Sequence, residues 1–107
     1  MAQESIALTE AVFYILLSLH SPLHGYGIML KVDDLSSGRV KLAAGTLYGA
    51  LNTMLEKGWI KALPGEKNSR KKEYVITASG KEIAANELLR LRELLENGEL
   101  IIRGDEK

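Results

Sequence analysis

Apolar residues recur along most of this chain at helical spacings, and the clearest case lies near its centre. Between Ala43 and Gly58, the residues Leu47, Leu51, Met54 and Leu55 stand at positions i, i+4, i+7 and i+8, which places them on one side of a helix. Polar residues occupy the other sides. The pattern therefore predicts a helix with one buried stripe and one face free to contact a partner.

Two more helices are predicted before this one. Thr9 can cap a first helix that runs to about Leu19, where Ser21-Pro22 breaks it. A second helix is expected from Gly25 to Leu35, and the run from Ser36 to Gly38 ends it.

The pattern changes after Gly58, which suits the left-handed position just past a helix end. Trp59 to Leu63 and Lys72 to Ile76 are predicted as two strands joined by a loop rich in turn formers. Thr77 can then cap a long helix from Ala78 to Glu96, closed by Asn97-Gly98. The fold class predicted is mainly α with a small β-hairpin (α+β), a winged helix-turn-helix in one compact domain. Residues 1–77 form its winged region and residues 78–107 its C-terminal helix and tail.

The last helix carries a narrow apolar seam with spacings of 4, 3 and 4 residues. Its members are Ala84, Leu88, Leu91 and Leu95. This is the a/d pattern of a helix that pairs with another helix, and Ile83, Leu89 and Leu94 widen the apolar surface further. The seam predicts a dimer interface, with a helix folded back on its own core as the alternative.

Charge is distributed unevenly, although 14 basic and 14 acidic residues cancel over the whole chain. Residues 1–38 and 73–107 each carry a net charge of −3, whereas residues 39–72 hold eight basic and two acidic residues and carry +6. A positive middle between acidic ends is typical of a surface that faces a polyanion. A solvated hairpin that happens to carry lysines would show the same counts.

Several classes of protein and site are disfavoured by composition. The chain has no cysteine, so disulfides and thiolate metal sites are excluded, and its longest apolar run is about half of what a bilayer requires. The N-terminus lacks the pattern of a secretory leader, so a cytoplasmic location is expected. His20 and His24 have Pro22 between them and no third ligand nearby, and no catalytic motif is present. We expect a binding protein without metal, cofactor or enzymatic activity.

Several short motifs occur in an order and spacing that resembles the PadR-like transcriptional regulators, over roughly residues 8 to 95. They are Leu8-Thr9, the run from His24 to Ile28, Gly45-Thr46-Leu47-Tyr48, Ala50-Leu51, the run from Glu56 to Ile60, the run from Tyr74 to Thr77, and Gly80. Two positions depart from the family pattern. Gly49 stands where the family commonly has proline, and Glu73 stands where an aromatic residue commonly precedes Tyr74.

The resemblance implies a winged helix-turn-helix homodimer that binds double-stranded DNA at an operator and usually represses, with the C-terminal helices in contact. Family members often sense aromatic or drug-like compounds, which implies a small-molecule inducer. Trp59 is interpreted as a core residue rather than as a ring that stacks on such a ligand.

The predicted DNA contacts lie on the central helix, just before it, and on the wing. They are Lys41, Thr46, Tyr48, Asn52, Thr53, Lys67, Arg70, Lys71 and Lys72. Tyr48 either donates its hydroxyl to a phosphate or packs against the second helix, and Asn52 either reads an adenine edge or is solvated. Thr46 and the first-turn amides suit a phosphate.

His24 and Tyr26 are expected to shape the turn into the second helix rather than to bind a ligand. The leading hypothesis for the whole chain is a sequence-specific repressor. The alternative is a winged-helix interaction module whose basic wing binds an acidic protein.

Overall fold

The structure, a computed structural model, describes residues 6–64 and 72–104. Four helices and three short strands form within these residues. The helices are α1 (Glu10–Ser18), α2 (Gly25–Leu35), α3 (Ala44–Glu56) and α4 (Ala78–Gly104), and the strands are β1 (Leu23–His24), β2 (Ile60–Leu63) and β3 (Glu73–Ile76). The predicted fold class is confirmed: the molecule is a winged helix with a long C-terminal helix.

The ends of the first three helices match the sequence prediction to within two residues, and local capping explains why. The Thr9 hydroxyl accepts a hydrogen bond from the Val12 amide at 3.1 Å, at the start of α1. At the start of α2, the His24 ring nitrogen Nδ1 accepts from the Gly27 amide at 3.2 Å. Gly58, just after α3, has a φ of 76°, a left-handed conformation that glycine adopts without steric cost.

The sheet contains one strand that the sequence does not predict. Its order is β1-β3-β2, and both pairings are antiparallel. In β1, Leu23 pairs with Tyr74 and His24 pairs with Glu73. A strand of two residues has no periodicity to detect, and its existence depends on pairing with residues about fifty positions away. The strand fastens the start of α2 to the wing.

Helix α4 is longer than predicted, and the expected stop at Asn97-Gly98 is wrong. A glycine that ends a helix adopts a left-handed conformation, and among the described residues only Gly38 and Gly58 are glycines with positive φ. Gly98 instead lies inside the helix, which continues to Gly104. An ion pair between Glu99 and Arg103, at 3.8 Å and one turn apart, supports this last segment.

The core lies where α1, α2, α3 and the sheet meet, and the N-terminal half of α4 closes it. Residues of complete burial come from all three short helices: Ile15, Leu16, Leu19, Ile28, Val32, Leu47 and Leu51. Trp59 belongs to the same cluster, which confirms its interpretation as a core residue. Within the described residues, no helix has the length and apolar character needed to cross a membrane.

Candidate nucleic-acid interface

The outer face of α3 is exposed and, apart from Tyr48 and Glu56, is built from short side chains. Thr46, Asn52 and Thr53 all lie in solvent, opposite the buried apolar stripe. Gly45 and Gly49 have no atom within 4 Å of the place that a Cβ would occupy. With little side-chain bulk on this face, the helix backbone can come close to a partner's surface.

The start of α3 offers backbone donors. Its N-cap residue is Ala43. An alanine side chain has no acceptor atom, so it cannot cap the amides of the first turn. Unpaired amides and the positive end of the helix dipole favour an anion at this place. Thr46 is exposed in the same turn, where its hydroxyl can add a further donor.

Thr53 is less free than its exposure implies. Its hydroxyl donates a hydrogen bond to the Gly49 carbonyl oxygen at 3.2 Å, one turn earlier in α3. A hydroxyl has a single hydrogen to donate, so in this rotamer Thr53 can only accept from a partner. A phosphate oxygen also only accepts, which makes Thr53 a weaker candidate than Thr46 for a phosphate contact.

Of the two roles that the sequence left open for Tyr48, the structure supports packing against α2. A methyl group added at Gly25 would overlap the Tyr48 hydroxyl, so the Tyr48 ring packs closely against the start of α2. The side chain is still 47% exposed. Burial raises the pKa of the neighbouring Tyr74, and the proximity of Tyr48 adds to that rise. Tyr48 therefore braces α3 against α2, in the neighbourhood of Tyr74, while part of the side chain faces solvent.

The wing is formed by β2 and β3, whose strands pair from Ile60 with Ile76 to Leu63 with Glu73. Lys61 on β2 and Lys72, just before β3, are exposed. The other predicted wing contacts, Lys67, Arg70 and Lys71, lie outside the described residues. At the base of the wing, the Lys57 ammonium lies 5.5 Å from the centre of the Trp59 ring, within cation–π range.

Part of the predicted positive surface is neutralised by the acidic N-terminal third. Arg39 forms a two-point ion pair with Glu10, which holds the pKa of the Glu10 carboxyl below its usual range. Lys41, a predicted DNA contact, pairs with Asp33 at 3.3 Å. Both side chains of that second pair are largely exposed, so it is weak and easily exchanged for a phosphate. The sequence counts could not show these pairings because they join separate helices and loops.

Helix α3 is joined directly to α4 by one threonine. The Thr77 hydroxyl donates to the Gly58 carbonyl oxygen at 2.6 Å and accepts from the Gly80 amide at 3.1 Å. It thus links Gly58, two residues after the end of α3, to the first turn of α4. Gly80 also packs so closely on the Trp59 carbonyl that an added methyl group would overlap it. The direction of α3 is therefore set relative to α4 by short, specific contacts.

The predicted dimer seam is only partly free. Ala84 is 5% exposed and packs in the chain's own core, which corrects its assignment as a residue available to a second subunit. Leu88, Leu91 and Leu95 are exposed, as are the last apolar residues of α4. Those last residues are Leu100, Ile101 and Ile102. The uncovered apolar surface thus begins at Leu88 and extends to the end of the helix.

A buried carboxylate next to this seam escaped the sequence prediction. Glu87 is 1% exposed, accepts from the Leu8 amide at 3.2 Å and pairs with Arg90 through two contacts of 2.6 and 2.8 Å. The Arg90 hydrogen bonds lower the pKa of Glu87, and the Leu8 bond adds to this, against the opposing effect of burial. Its position between Ala84 and Leu91, on one helix face, was the available signal.

The two histidines serve the backbone. His24 caps α2, as expected of a residue that shapes this turn, and His20 Nδ1 lies 3.1 Å from the Leu16 carbonyl oxygen, to which it must donate. Tyr26 differs from its prediction: it is 64% exposed and so does little to pack the turn. No group of three potential metal ligands occurs within residues 6–64 and 72–104.

Comparison with known proteins agrees with this geometry. The model of the transcriptional regulator PadR-like family matches residues 13–86. A PadR family transcription regulator from Clostridium difficile R20291 has a similar structure, with a TM-score of 0.74, 22% identity, and 88% of this chain and 99% of that chain covered. A PadR family regulator from Eggerthella lenta DSM 2243 has a TM-score of 0.71 and 18% identity, with 85% of this chain and 76% of that chain covered.

H. salinarum RosR has a TM-score of 0.68 and 22% identity, with 96% of this chain and 97% of that chain covered. At these identities the structural similarities show a shared fold. No curated protein matches the chain.

Proposed function

Because the chain belongs to the PadR-like family of transcriptional regulators, we propose that it binds a specific DNA operator as a homodimer, in the cytoplasm, and represses transcription there. The observation that carries the proposal is the outer face of α3, which is exposed, has short side chains between Tyr48 and Glu56, and is flanked by the basic wing. A helix of this kind fits the major groove, and an adjacent hairpin can follow the phosphates.

Each predicted contact has a distinct role in this proposal. Thr46 and the uncapped amides of α3 hold one phosphate, and Asn52 presents an amide to a base edge. Tyr48 braces the helix through its ring and offers its hydroxyl to the backbone of the DNA. Lys41 exchanges Asp33 for a phosphate, and Thr53 accepts a hydrogen bond from a base. The wing residues Lys67, Arg70, Lys71 and Lys72 neutralise phosphates.

The exposed apolar surface of α4 supports a homodimer, and a homodimer would bind an operator with two half-sites. Leu88, Leu91 and Leu95 remain 51%, 37% and 62% exposed in the described chain, so a second copy would bury them further and place two α3 helices in a fixed relation. A regulator of this design reads an operator with two-fold symmetry.

The first experiment measures affinity for the DNA upstream of the protein's own gene, against a random fragment of equal length, over a range of salt concentrations. Lys72→Ala should weaken both DNAs about equally and lower the slope of log K against log salt by roughly one unit. Arg103→Ala removes the same charge at the far end of α4 and is the matched control. An equal effect of the two variants would contradict the assignment of the wing.

The second experiment separates affinity from specificity. Asn52→Ala should lose about 1 to 3 kcal/mol on the operator and almost nothing on random DNA. If the protein dimerises but binds no DNA at low salt, the proposal fails, and a protein partner for the wing becomes the better hypothesis.

A further inference from the structure

The end of α3 has a fixed backbone conformation. The Gly58 amide donates to the Leu55 carbonyl oxygen at 3.1 Å, and the Trp59 amide donates to the Met54 carbonyl oxygen at 3.0 Å. Together with the φ of 76° at Gly58, these two bonds form a Schellman motif, which closes a helix. The carbonyl groups of Gly58 and Trp59 therefore hold fixed positions relative to α3.

The start of α4 is fastened to the same two carbonyl groups. The Thr77 amide donates to the Trp59 carbonyl oxygen at 2.9 Å, and the Thr77 hydroxyl donates to the Gly58 carbonyl oxygen at 2.6 Å. The same hydroxyl accepts from the Gly80 amide at 3.1 Å. A Cβ at Gly80 would overlap the Trp59 carbonyl and lie 2.7 Å from Cγ1 of Ile76, so α4 begins in close backbone contact. We call Gly58, Trp59, Thr77 and Gly80 the junction.

Away from the junction, α3 and α4 pack on different neighbours. In the described part of the chain, α3 packs mainly on α2 and β2, whereas α4 packs mainly on α1 and β3. The large exposed apolar residues of α4 begin at Leu88, two turns beyond Gly80. The junction is therefore the most direct connection between the exposed face of α3 and the apolar surface that a second copy would cover.

We propose that the junction sets the spacing of the two DNA half-sites that the protein accepts, with Thr77 as a positioning residue. This inference rests on the DNA-binding homodimer proposed above. Leu95 lies 15 residues after Gly80 in one continuous helix, about 22 Å away at 1.5 Å per residue. Relative to Leu95, a tilt of about 9° at the junction displaces α3 by about 3.4 Å, the length of one base-pair step.

The Thr77 hydroxyl is the contact that can be removed without a change of backbone. It bonds one group that follows α3 and one group inside α4, so both lose a partner in Thr77→Val. The backbone bond from the Thr77 amide to the Trp59 carbonyl oxygen stays. The variant should therefore retain the fold, while α4 tilts more easily relative to α3.

Operators with one base pair added or removed between the half-sites test this proposal. The parent protein should bind them about tenfold more weakly than the natural operator, and Thr77→Val should reduce this penalty to about threefold, because a looser junction tilts at lower cost. DNA with a single half-site should bind both proteins equally, since the exposed face of α3 is unchanged. Thr77→Ser keeps the hydroxyl and should restore the penalty of the parent.

Thr9→Val is the matched control for a general loss of stability. The Thr9 hydroxyl caps α1 by accepting from the Val12 amide at 3.1 Å, so this variant also loses a helix cap, but away from the junction. It should keep the spacing penalty of the parent. An equally reduced penalty in Thr9→Val would show that lower stability, rather than the junction, relaxes the spacing, and would overturn the proposal.

A distance measurement tests the junction without DNA. The chain has no cysteine, so Glu56→Cys places a single spin label at the exposed end of α3. In the dimer, the distribution of distances between the two labels should be broader with Thr77→Val than in the parent background. Thr77→Ser and Thr9→Val should keep the narrow distribution. Equal widths in Thr77→Val and the parent would refute the role of the junction.

The two proposals fail separately. A broadened distribution in Thr77→Val, from a protein that binds no DNA, would sustain the role of the junction in placing α3 and overturn the proposed function. Operator binding with the same spacing penalty in Thr77→Val and the parent would overturn the inference and leave the proposed function standing. A chain that forms no dimer would overturn both.

Discussion

Helices α3 and α4 carry the same kind of apolar periodicity, but the apolar residues of α3 are buried whereas many of those in α4 are exposed. In α3, Leu47 and Leu51 are completely buried within the single chain. In α4, the N-terminal turns pack on the core, while Leu95 and Ile102 further along are mostly exposed. Periodicity therefore shows that a helix has an apolar face. Whether the chain's own core covers that face or leaves it exposed depends on how far the helix extends beyond the core.

A second difference concerns polar groups. The outer face of α3 holds small exposed polar side chains, which cost nothing in solvent and suit a polar partner. The inner face of α4 holds a buried charge, Glu87, which must be paired where it lies. One helix thus presents its polar groups outward for recognition, and the other uses a polar group internally to hold the N-terminal segment through Leu8.

The largest expected effect is a loss of stability when an apolar residue of α3 is truncated, compared with the same change in α4. Leu51→Ala in α3 should lower the free energy of unfolding by about 2 to 5 kcal/mol, because it empties a fully packed site. Leu95→Ala in α4 should change it little at protein concentrations where the chain is monomeric, and should lower stability only as concentration rises. Urea unfolding at two concentrations measures both. Equal losses for the two variants under monomeric conditions would show that α4 folds back on its own chain.

How much the sequence could predict follows the same division. Thr9 and Gly58 mark helix ends through local bonds and local conformation, so α1 and α3 were found within two residues. The true end of α4 was missed because Asn97-Gly98 carries the local signal of a stop, which the continuing helix overrides.

The candidate site divides in the same manner. The exposed face of α3 follows from its periodicity alone. The Arg39–Glu10 pair joins residues 29 positions apart, and the Glu87–Leu8 bond spans 79, so neither has a local signature. Long-range pairing, rather than propensity, accounts for what the sequence left undetermined.

The next prediction concerns the buried carboxylate of α4. Glu87→Gln should cost roughly 1 to 3 kcal/mol near neutral pH, since it leaves the hydrogen-bonding groups of Arg90 without their charged partner. The pKa of Glu87 is lowered in the folded chain, so its contribution is present in full above the unfolded value of about 4.3 and is lost as pH falls through the folded value.

Urea unfolding from pH 7 to pH 3 measures this contribution as the gap between parent and variant. The gap should be constant near neutral pH, should narrow as the pH falls below the unfolded value of about 4.3, and should close once Glu87 is protonated in the folded chain. Glu10→Gln removes the exposed pair with Arg39 and should have a much smaller effect at every pH. A gap that is absent at pH 7 would mean that Glu87 adds no stability.

Thr77 allows the junction between the two helices to be tested by itself. Thr77→Val keeps the shape and removes the hydroxyl that bonds Gly58 and Gly80, so it should cost about 0.5 to 2 kcal/mol. Thr77→Ser keeps the hydroxyl and should restore most of the loss. Thermal unfolding of the three proteins compares them. If Val and Ser behave alike, the hydroxyl does not join α3 to α4.

The smallest expected effect is a gain in stability from a substitution on the outer face of α3. Gly49 sits inside the helix with no atom within 4 Å of a prospective Cβ, so Gly49→Ala should stabilise the fold by about 0.5 to 1 kcal/mol through its higher helix propensity. Gly80→Ala is the contrast, because its methyl group would overlap the Trp59 carbonyl and should destabilise the chain. Thermal unfolding measures both.

If Gly49→Ala also weakened operator binding while raising the melting temperature, the glycine would serve the close approach of α3 to DNA. A loss of stability in Gly49→Ala would instead show that this face of α3 is covered, and would count against its role as the recognition surface.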